Sequence, residues 1–194
     1  MTGFIGTAWI SKALSDNGCS EAAYKLLQQT NYPSWLYSVE QGATTIWERL
    51  NSYTHEDGFG GNNRMNSFNH YSFGAVGAWM YNYSLGIERD EDFPGFKHFV
   101  LKPEVDITGN MTYAKGYYDS MYGRIESSWR VEEDTVIYQC TVPANTTATL
   151  HLPATSVKNI VEGLKKSKGI EYVGIEDGKV VLRLLSGRYS FGIK

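Results

Sequence analysis

The chain has 194 residues, which is enough for one ordinary domain or two small ones. Its net charge is −3 and its lysines and arginines are scattered, so we predict that nucleic acid is not a partner. No apolar run approaches the roughly 20 residues that a membrane-spanning helix needs, and the first residues lack the pattern of a signal peptide. We therefore expect no membrane or nucleic-acid role and leave the compartment open.

The first part of the chain predicts two helices joined by a short link. Residues 5–16 carry apolar positions at helical spacing, which predict one buried face made by Trp9, Ile10, Ala13 and Leu14. Gly18 favours a left-handed end to this helix, and Ser20 is typical of a cap that begins the second one. The second helix has its own predicted buried stripe, formed by Ala22, Ala23, Leu26 and Leu27.

Residues 32–50 combine aromatic rings and carboxylates on a backbone with no regular apolar period, apart from short helical turns expected at 38–41 and 44–50. One interpretation is a sugar site, because sugar faces stack on rings and carboxylates bind hydroxyls or move protons. The other is a buried aromatic loop in which Glu40 and Glu48 pair with Arg49 or with backbone amides. Composition alone favours the second interpretation.

A polar, glycine-rich loop is predicted at residues 51–63, followed by a long helix at 67–85. The helix has a broad apolar face but carries Gly74 and Gly77 in its interior. Each glycine costs about 1 kcal/mol against alanine in a helix. We therefore expect another backbone to approach closely at these two positions.

The pattern changes after residue 90, and period-two alternation predicts strands. Residues 125–131 and 136–142 alternate around an acidic turn, and Asp177-Gly178 is a strong hairpin signal. Strands at this spacing indicate an antiparallel β-sandwich, with Trp129 in its core.

The two cysteines are predicted to be free thiols. Cys19 lies at a predicted helix start and Cys140 lies inside a predicted strand. A pair this sparse is not a disulfide framework and does not have the spacing of a metal site.

Several short segments of the sequence resemble the C-terminal part of the catalytic domain of bacterial α-L-rhamnosidases. They are YPSW at 32–35, EQGATTIWER at 40–49, SFNHYSFGAVG at 67–77 and GI at 86–87. The resemblance is close over roughly residues 3–90 and looser beyond. It implies inverting glycoside hydrolases, whose catalytic domain is an (α/α)6 toroid of six helical hairpins.

The resemblance implies an α+β fold with two domains. Residues 1–90 would be the last helical hairpins of the toroid and residues 91–194 a C-terminal β-sandwich. We expect the chain to be a C-terminal fragment of a longer enzyme, inactive alone. A partial toroid exposes inner helix faces, so we also expect the missing hairpins, or a homo-oligomer, to cover them.

The resemblance also implies the roles of particular residues. Glu48 matches the general base, while the general acid belongs to a segment that this chain lacks. His70 matches a histidine that binds the sugar, which would be rhamnose in a glycoside or polysaccharide. Trp35 and Trp47 are candidates for stacking on the sugar, with core packing as the alternative. No metal or organic cofactor is expected, and His55, His98 and His151 lack the spacing of a metal site.

Two other functions stay open at this stage. The chain could be a carbohydrate-binding module that holds sugar without cleavage, or a structural β-sandwich that supports a neighbouring catalytic domain. Retained affinity for glycans in this chain alone would favour the binding module.

Overall fold

The computed structural model describes residues 2–60, 64–164 and 168–194, and these form two compact units. The first unit comprises the residues up to Trp79 together with Asp106–Asn110. The second comprises Met80–Val105 and Met111–Lys194. Among the described residues, no helix has both the length and the apolar character required to cross a membrane.

The first unit begins with two helices, α1 (Gly3–Asp16) and α2 (Ser20–Gln28), followed by a short helix α3 (Trp35–Glu40). The predicted end of α1 is confirmed, because Gly18 has a φ of +73° and follows the C-cap Asn17. The prediction that Ser20 caps α2 is wrong. Cys19 is the N-cap, and Ser20 instead donates its hydroxyl to the hydroxyl of Ser15 at 3.0 Å.

The predicted buried face of α1 is wrong. The buried residues of this helix are Thr7 and Ser11, whereas Trp9 is 61% exposed. The small polar side chains lie on the buried side of the helix, and Thr7 donates to the carbonyl of Gly3 in the same helix at 2.6 Å. The large apolar side chains point away from that side, so helical periodicity found an apolar face but not the element that covers it. In α2, Ala23 is buried as predicted, but Leu26 is 39% exposed.

The long helix predicted at 67–85 is confirmed only in part, because residues 67–71 are not helical and residues 72–84 do not form one regular α-helix. The segment instead contains a 3₁₀ turn at Ser72–Ala75, a short helix α4 at Val76–Trp79 and a π-helical turn at Met80–Ser84. Apolar spacing tracks which side of a segment is buried, but it does not fix the hydrogen-bond register. The reason we gave for the glycines is wrong. A Cβ on Gly74 would meet the Ile46 side chain at 3.3 Å, and in the described chain nothing lies within 4 Å of one on Gly77.

The predicted helical turn at 44–50 is wrong, because these residues form turns and bends. The predicted loop that follows is irregular up to Gly60, with one isolated bridge between Thr54 and Gly58. Residues 61–63 of that loop lie outside the described residues.

The described residues of the second unit form ten strands in two five-stranded sheets. They are β1 (Ile87–Arg89), β2 (His98–Leu101), β3 (Tyr113–Ser120), β4 (Gly123–Glu132), β5 (Thr135–Val142), β6 (Thr147–Leu152), β7 (Ile160–Glu162), β8 (Ile170–Glu176), β9 (Lys179–Leu184) and β10 (Gly187–Ile193). One sheet has the order β1-β2-β6-β9-β8 and the other has the order β3-β4-β5-β10-β7.

The predicted hairpins are confirmed. Strands β4 and β5 pair antiparallel around the acidic turn, where Glu133 has a φ of +51°. Strands β8 and β9 pair antiparallel around Asp177 and Gly178, both with positive φ, as a tight hairpin requires. The first sheet departs from the prediction in one pair, since β2 and β6 run parallel. The chain between them runs through β3, β4 and β5 of the other sheet, a crossover that a hairpin cannot provide.

The β-sandwich is confirmed, and its core consists of the inward-facing side chains of both sheets. The largest fully buried ones include Phe99, Leu101, Ile125, Trp129, Tyr138, Leu150, Leu182 and Phe191. Two hydrogen bonds fix the start of this unit to the second sheet. The indole of Trp129 donates to the carbonyl of Ser84 at 2.8 Å, and the hydroxyl of Ser127 donates to the carbonyl of Leu85 at 2.6 Å.

Candidate functional site

Two irregular segments of the first unit, residues 45–48 and 67–70, lie side by side. The backbone amide of Glu48 donates to the carbonyl of Ser67 at 2.8 Å, and that of His70 donates to the carbonyl of Ile46 at 2.8 Å. The hydroxyl of Thr45 donates to the carbonyl of Phe68. These bonds run in an antiparallel sense, so they bring Glu48 and His70 onto adjoining stretches of chain that are 22 positions apart in sequence.

The Glu48 side chain is half-buried, and its Oε2 accepts a hydrogen bond from the backbone amide of Ser67 at 2.8 Å. A buried structural loop would also explain that bond. The pocket beside it is a further observation. Glu48 lines a cavity of about 250 Å³ together with Phe4, Tyr32 and Phe73. A carboxylate with one oxygen fixed and a cavity at its side can accept a proton from a water molecule held there.

The imidazole of His70 is held by stacking and by one hydrogen bond. Its Nδ1 accepts from the backbone amide of Ser72 at 3.4 Å, so in the neutral ring Nε2 carries the proton and is a donor. The ring stacks on Phe4 with centroids 4.8 Å apart, and on Tyr71 with centroids 5.6 Å apart. Since Phe4 also lines the Glu48 cavity, one aromatic residue stacks on His70 and borders the cavity that Glu48 lines.

The two candidate tryptophans lie in different surroundings. Trp35 is half-buried, donates its indole N–H to the carbonyl of Phe73 at 2.8 Å and lines a neighbouring cavity of about 670 Å³. Trp47 is only 6% exposed and packs edge-on against Phe68 with centroids 5.3 Å apart. Trp35 therefore has a free surface beside the site, whereas Trp47 has the burial that its core-packing alternative predicts.

Arg49, the charged residue next to Glu48, helps to hold the backbone near the site through Asn66. Arg49 donates its Nε to the side chain of Asn66 at 3.3 Å, and Asn66 in turn donates to the carbonyl of Ser52 at 3.1 Å. Glu40 is exposed and does not line the Glu48 cavity. Within the described ranges, no group of three or more His, Cys, Asp or Glu side chains could hold a metal ion.

Sequence reasoning missed Phe4 and the pairing of the two segments. Phe4 is 36% exposed at the start of α1, where a single aromatic residue has no motif around it. Its closeness to two other aromatic segments is visible only in three dimensions, so the sequence carries no signal for it. The pairing has no period-two pattern because it involves single backbone bonds and no regular strand.

Profiles of two protein families match this chain in succession. Residues 1–84 match the bacterial alpha-L-rhamnosidase 6 hairpin glycosidase domain, and residues 86–167 match the bacterial alpha-L-rhamnosidase C-terminal domain. Alpha-L-rhamnosidases from Formosa agariphila and Streptomyces avermitilis are 38% and 35% identical, over 100% and 99% of this chain. The chain spans only 21% and 18% of those two relatives.

Solved structures give the same relationship. The structure of the Streptomyces avermitilis alpha-L-rhamnosidase complexed with L-rhamnose matches 99% of this chain and 18% of its own, with a TM-score of 0.85 and 35% identity. The alpha-L-rhamnosidase from Dictyoglumus thermophilum matches 99% of this chain and 21% of its own, with a TM-score of 0.78 and 33% identity. The chain therefore belongs to the bacterial α-L-rhamnosidase family, with residues from its six-hairpin glycosidase domain followed by its C-terminal domain.

Proposed function

We propose that this chain is part of an inverting α-L-rhamnosidase, which removes terminal α-L-rhamnose from glycosides or polysaccharides, and that Glu48 is its general base. The observation that carries the proposal is the position of Glu48, half-buried at the wall of a cavity that aromatic side chains also line. Such a mixed lining suits a sugar, which has apolar faces and polar edges.

The chemistry assigns Glu48 one half of the reaction. In inverting glycosidases a carboxylate takes a proton from the water that attacks the anomeric carbon, on the face opposite the leaving oxygen. A second carboxyl group, about 6.5–9.5 Å from the first, protonates that leaving oxygen. We propose that this acid lies on polypeptide beyond these 194 residues, since the chain spans about a fifth of its relatives.

His70 and Trp35 would position the sugar. With Nδ1 accepting from the Ser72 amide, the Nε2–H of His70 can donate to a sugar hydroxyl. Trp35 has its indole N–H fixed on the Phe73 carbonyl, so its ring presents a rigid face to the adjoining cavity. A rigid aromatic wall and a fixed donor limit the number of orientations that a bound pyranose can adopt.

A chimera tests the proposal. This chain would replace the matching segment of the Streptomyces avermitilis enzyme, and aryl α-L-rhamnoside hydrolysis would be followed by proton NMR. We expect the folded chimera to release β-L-rhamnose first, because the attack inverts the anomeric centre. We expect the 194-residue chain alone to release nothing above background. Rhamnose released first as the α-anomer, or hydrolysis by the chain alone at the rate of the complete enzyme, would refute the proposal.

A further inference from the structure

A large cavity of the second unit lies along its second sheet. It is a groove of about 950 Å³ whose lining comes mainly from β3, β4, β5 and β10. The Glu48 cavity is about 250 Å³ and belongs to the first unit, so the groove is a separate feature. The exposed polar side chains that line it, such as Glu126 and Gln139, have no part in the proposed reaction.

The floor of the groove consists of two rows of hydrogen-bonding side chains. Strand pairing places Lys115, Ser128, Gln139 and Ser190 side by side in the first row. It places Tyr117, Glu126, Thr141 and Arg188 side by side in the second row. Alternation along the strands points both rows to the same face, opposite to the buried side chains such as Ile125 and Trp129.

The middle of the floor is already ordered by bonds within each row. The hydroxyl of Thr141 donates to Oε2 of Glu126 at 2.6 Å, and the amide of Gln139 donates to the hydroxyl of Ser190 at 3.5 Å. These contacts leave each row with further lone pairs and N–H groups directed to the groove. A ligand that meets fixed donors and acceptors loses less entropy on binding than one that must order them.

Aromatic rings border this polar floor. Tyr117 is 49% exposed, and the guanidinium of Arg124 lies 3.8 Å from the centre of its ring. Arg124 is itself fixed by Asp119, to which its Nε donates at 2.8 Å. Tyr81 is 45% exposed and also lines the groove. The rings give apolar surface next to hydrogen-bonding groups, which is the combination that carbohydrate recognition uses.

We propose that this groove is a second carbohydrate-binding site, which holds a rhamnose-containing oligosaccharide on the C-terminal sandwich without cleaving it. The identity of the sugar rests on the proposed function, and the binding itself rests on the groove. Rhamnose has a methyl group where most hexoses have a hydroxymethyl, so it presents an apolar edge to a ring and hydroxyls to the floor. Such a site keeps a polymeric substrate close to the enzyme and raises its effective concentration at the active site.

The size of the floor fits a short chain. Neighbouring strands are about 4.8 Å apart, so each row of four residues extends about 14 Å across the sheet. The two rows are separated by about 6.8 Å along the strands. These dimensions accommodate about two or three pyranose units lying along the rows.

A titration of the 194-residue chain tests the proposal. The probe is a hexasaccharide of alternating rhamnose and galacturonic acid, added in a calorimeter. We expect saturable binding that Ser128→Trp, which places an indole in the middle of the floor, weakens at least about tenfold. Tyr117→Ala should weaken it by a similar factor, because the ring that borders the floor is lost. Thermal unfolding of each variant would verify that it folds.

A matched control is available on the same strand. Tyr113 is a second tyrosine of β3, 68% exposed and outside the groove lining, so Tyr113→Ala should bind like the original chain. A flat titration, or groove variants that fold and bind unchanged, would overturn the proposal.

The same titration separates this site from the reaction. Glu48→Gln should leave the affinity for the hexasaccharide unchanged, because Glu48 belongs to the other unit. If Glu48→Gln or His70→Ala abolished binding and the groove variants did not, the sugar would bind at the candidate active site. That result would overturn the groove and leave the proposed function standing. An inactive chimera with an intact titration would do the reverse.

Discussion

The imidazole of His70 is fixed on three sides by its neighbours. Phe4 and Tyr71 stack on the ring, and the Ser72 amide occupies Nδ1. This arrangement leaves Nε2–H as the donor of the neutral ring, and a sugar hydroxyl can accept from it. We therefore expect the residue to act in binding more than in proton transfer.

Replacing His70 by alanine tests that role in the chimera. One lost hydrogen bond to the sugar should raise KM for an aryl rhamnoside about 3- to 10-fold, with a smaller effect on kcat. The control is His55→Ala. His55 is exposed and its Nε2 bonds the carbonyl of Glu40, so KM should stay the same. Equal KM values for the two variants would exclude His70 from the sugar site.

The two cysteines differ in reactivity because of their surroundings. Burial raises the pKa of the Cys140 thiol to about 12, and the thiol also lies against the hydroxyl of Tyr138. Cys19 is exposed at the start of α2. Only the thiolate reacts with Ellman's reagent. A folded chain at pH 8 should therefore react with one equivalent of the reagent, and a denatured chain should react with two. Cys19→Ser should abolish the reaction of the folded chain; two equivalents before denaturation would contradict the burial of Cys140.

Individual site residues could be named from the sequence only where they lie in a long segment that resembles the family. Glu48 and His70 lie within such segments, and Phe4 both lines the Glu48 cavity and stacks on His70. Their catalytic and binding roles stay predictions. Phe4 could not have been found, because its contacts depend on a helix and two loops meeting in space.

At the scale of elements, strands were predicted better than helices. The alternation in β4, β5, β8 and β9 and the turns between them lie in the neighbouring sequence, so local pattern was sufficient. The stretch at 67–85 was predicted only in part, because apolar spacing indicated a helical segment but not its change from 3₁₀ to α to π turns. The pairing of residues 45–48 with 67–70 failed because it joins distant segments.

Gly86 and Gly77 differ in how strictly the surrounding structure requires a glycine. Gly86 has a φ of +70°, and a Cβ there would lie 2.2 Å from the backbone of Lys102 and Pro103. Gly77 lies in α4 with nothing within 4 Å of such an atom in the described residues. Gly86 joins the last helical turn to β1, so strain there acts on the start of the sandwich.

Alanine at each position gives opposite predictions. Gly86→Ala should lower the free energy of unfolding by about 2–5 kcal/mol, from left-handed strain together with overpacking. Gly77→Ala should raise it by up to about 1 kcal/mol, because alanine favours the helix. Urea unfolding of the two variants beside the original chain measures both. A neutral Gly86→Ala would mean that residues 86 and 102–103 do not approach as closely as described.

For the whole molecule, the order of helical region and sandwich was predictable, and the family comparisons support it. The boundary at residue 90 stays a prediction. The exposed apolar face of α1, with Ile5 at 83% and Trp9 at 61%, is the surface that a partial toroid would leave open. Sequence could not tell whether further hairpins or a second copy covers it, because either would bury the same side chains.

The role of Glu48 in the complete enzyme is the claim on which the functional account depends. It is tested most directly by kcat for aryl α-L-rhamnoside hydrolysis in the chimera that carries Glu48→Gln, with Glu40→Gln as the control. Glutamine keeps the size of the side chain but cannot accept a proton, so we expect kcat to fall about 10²- to 10⁴-fold. Glu40 is exposed and outside the cavity, so its variant should retain normal turnover. A folded Glu48→Gln chimera with unchanged kcat would contradict the account.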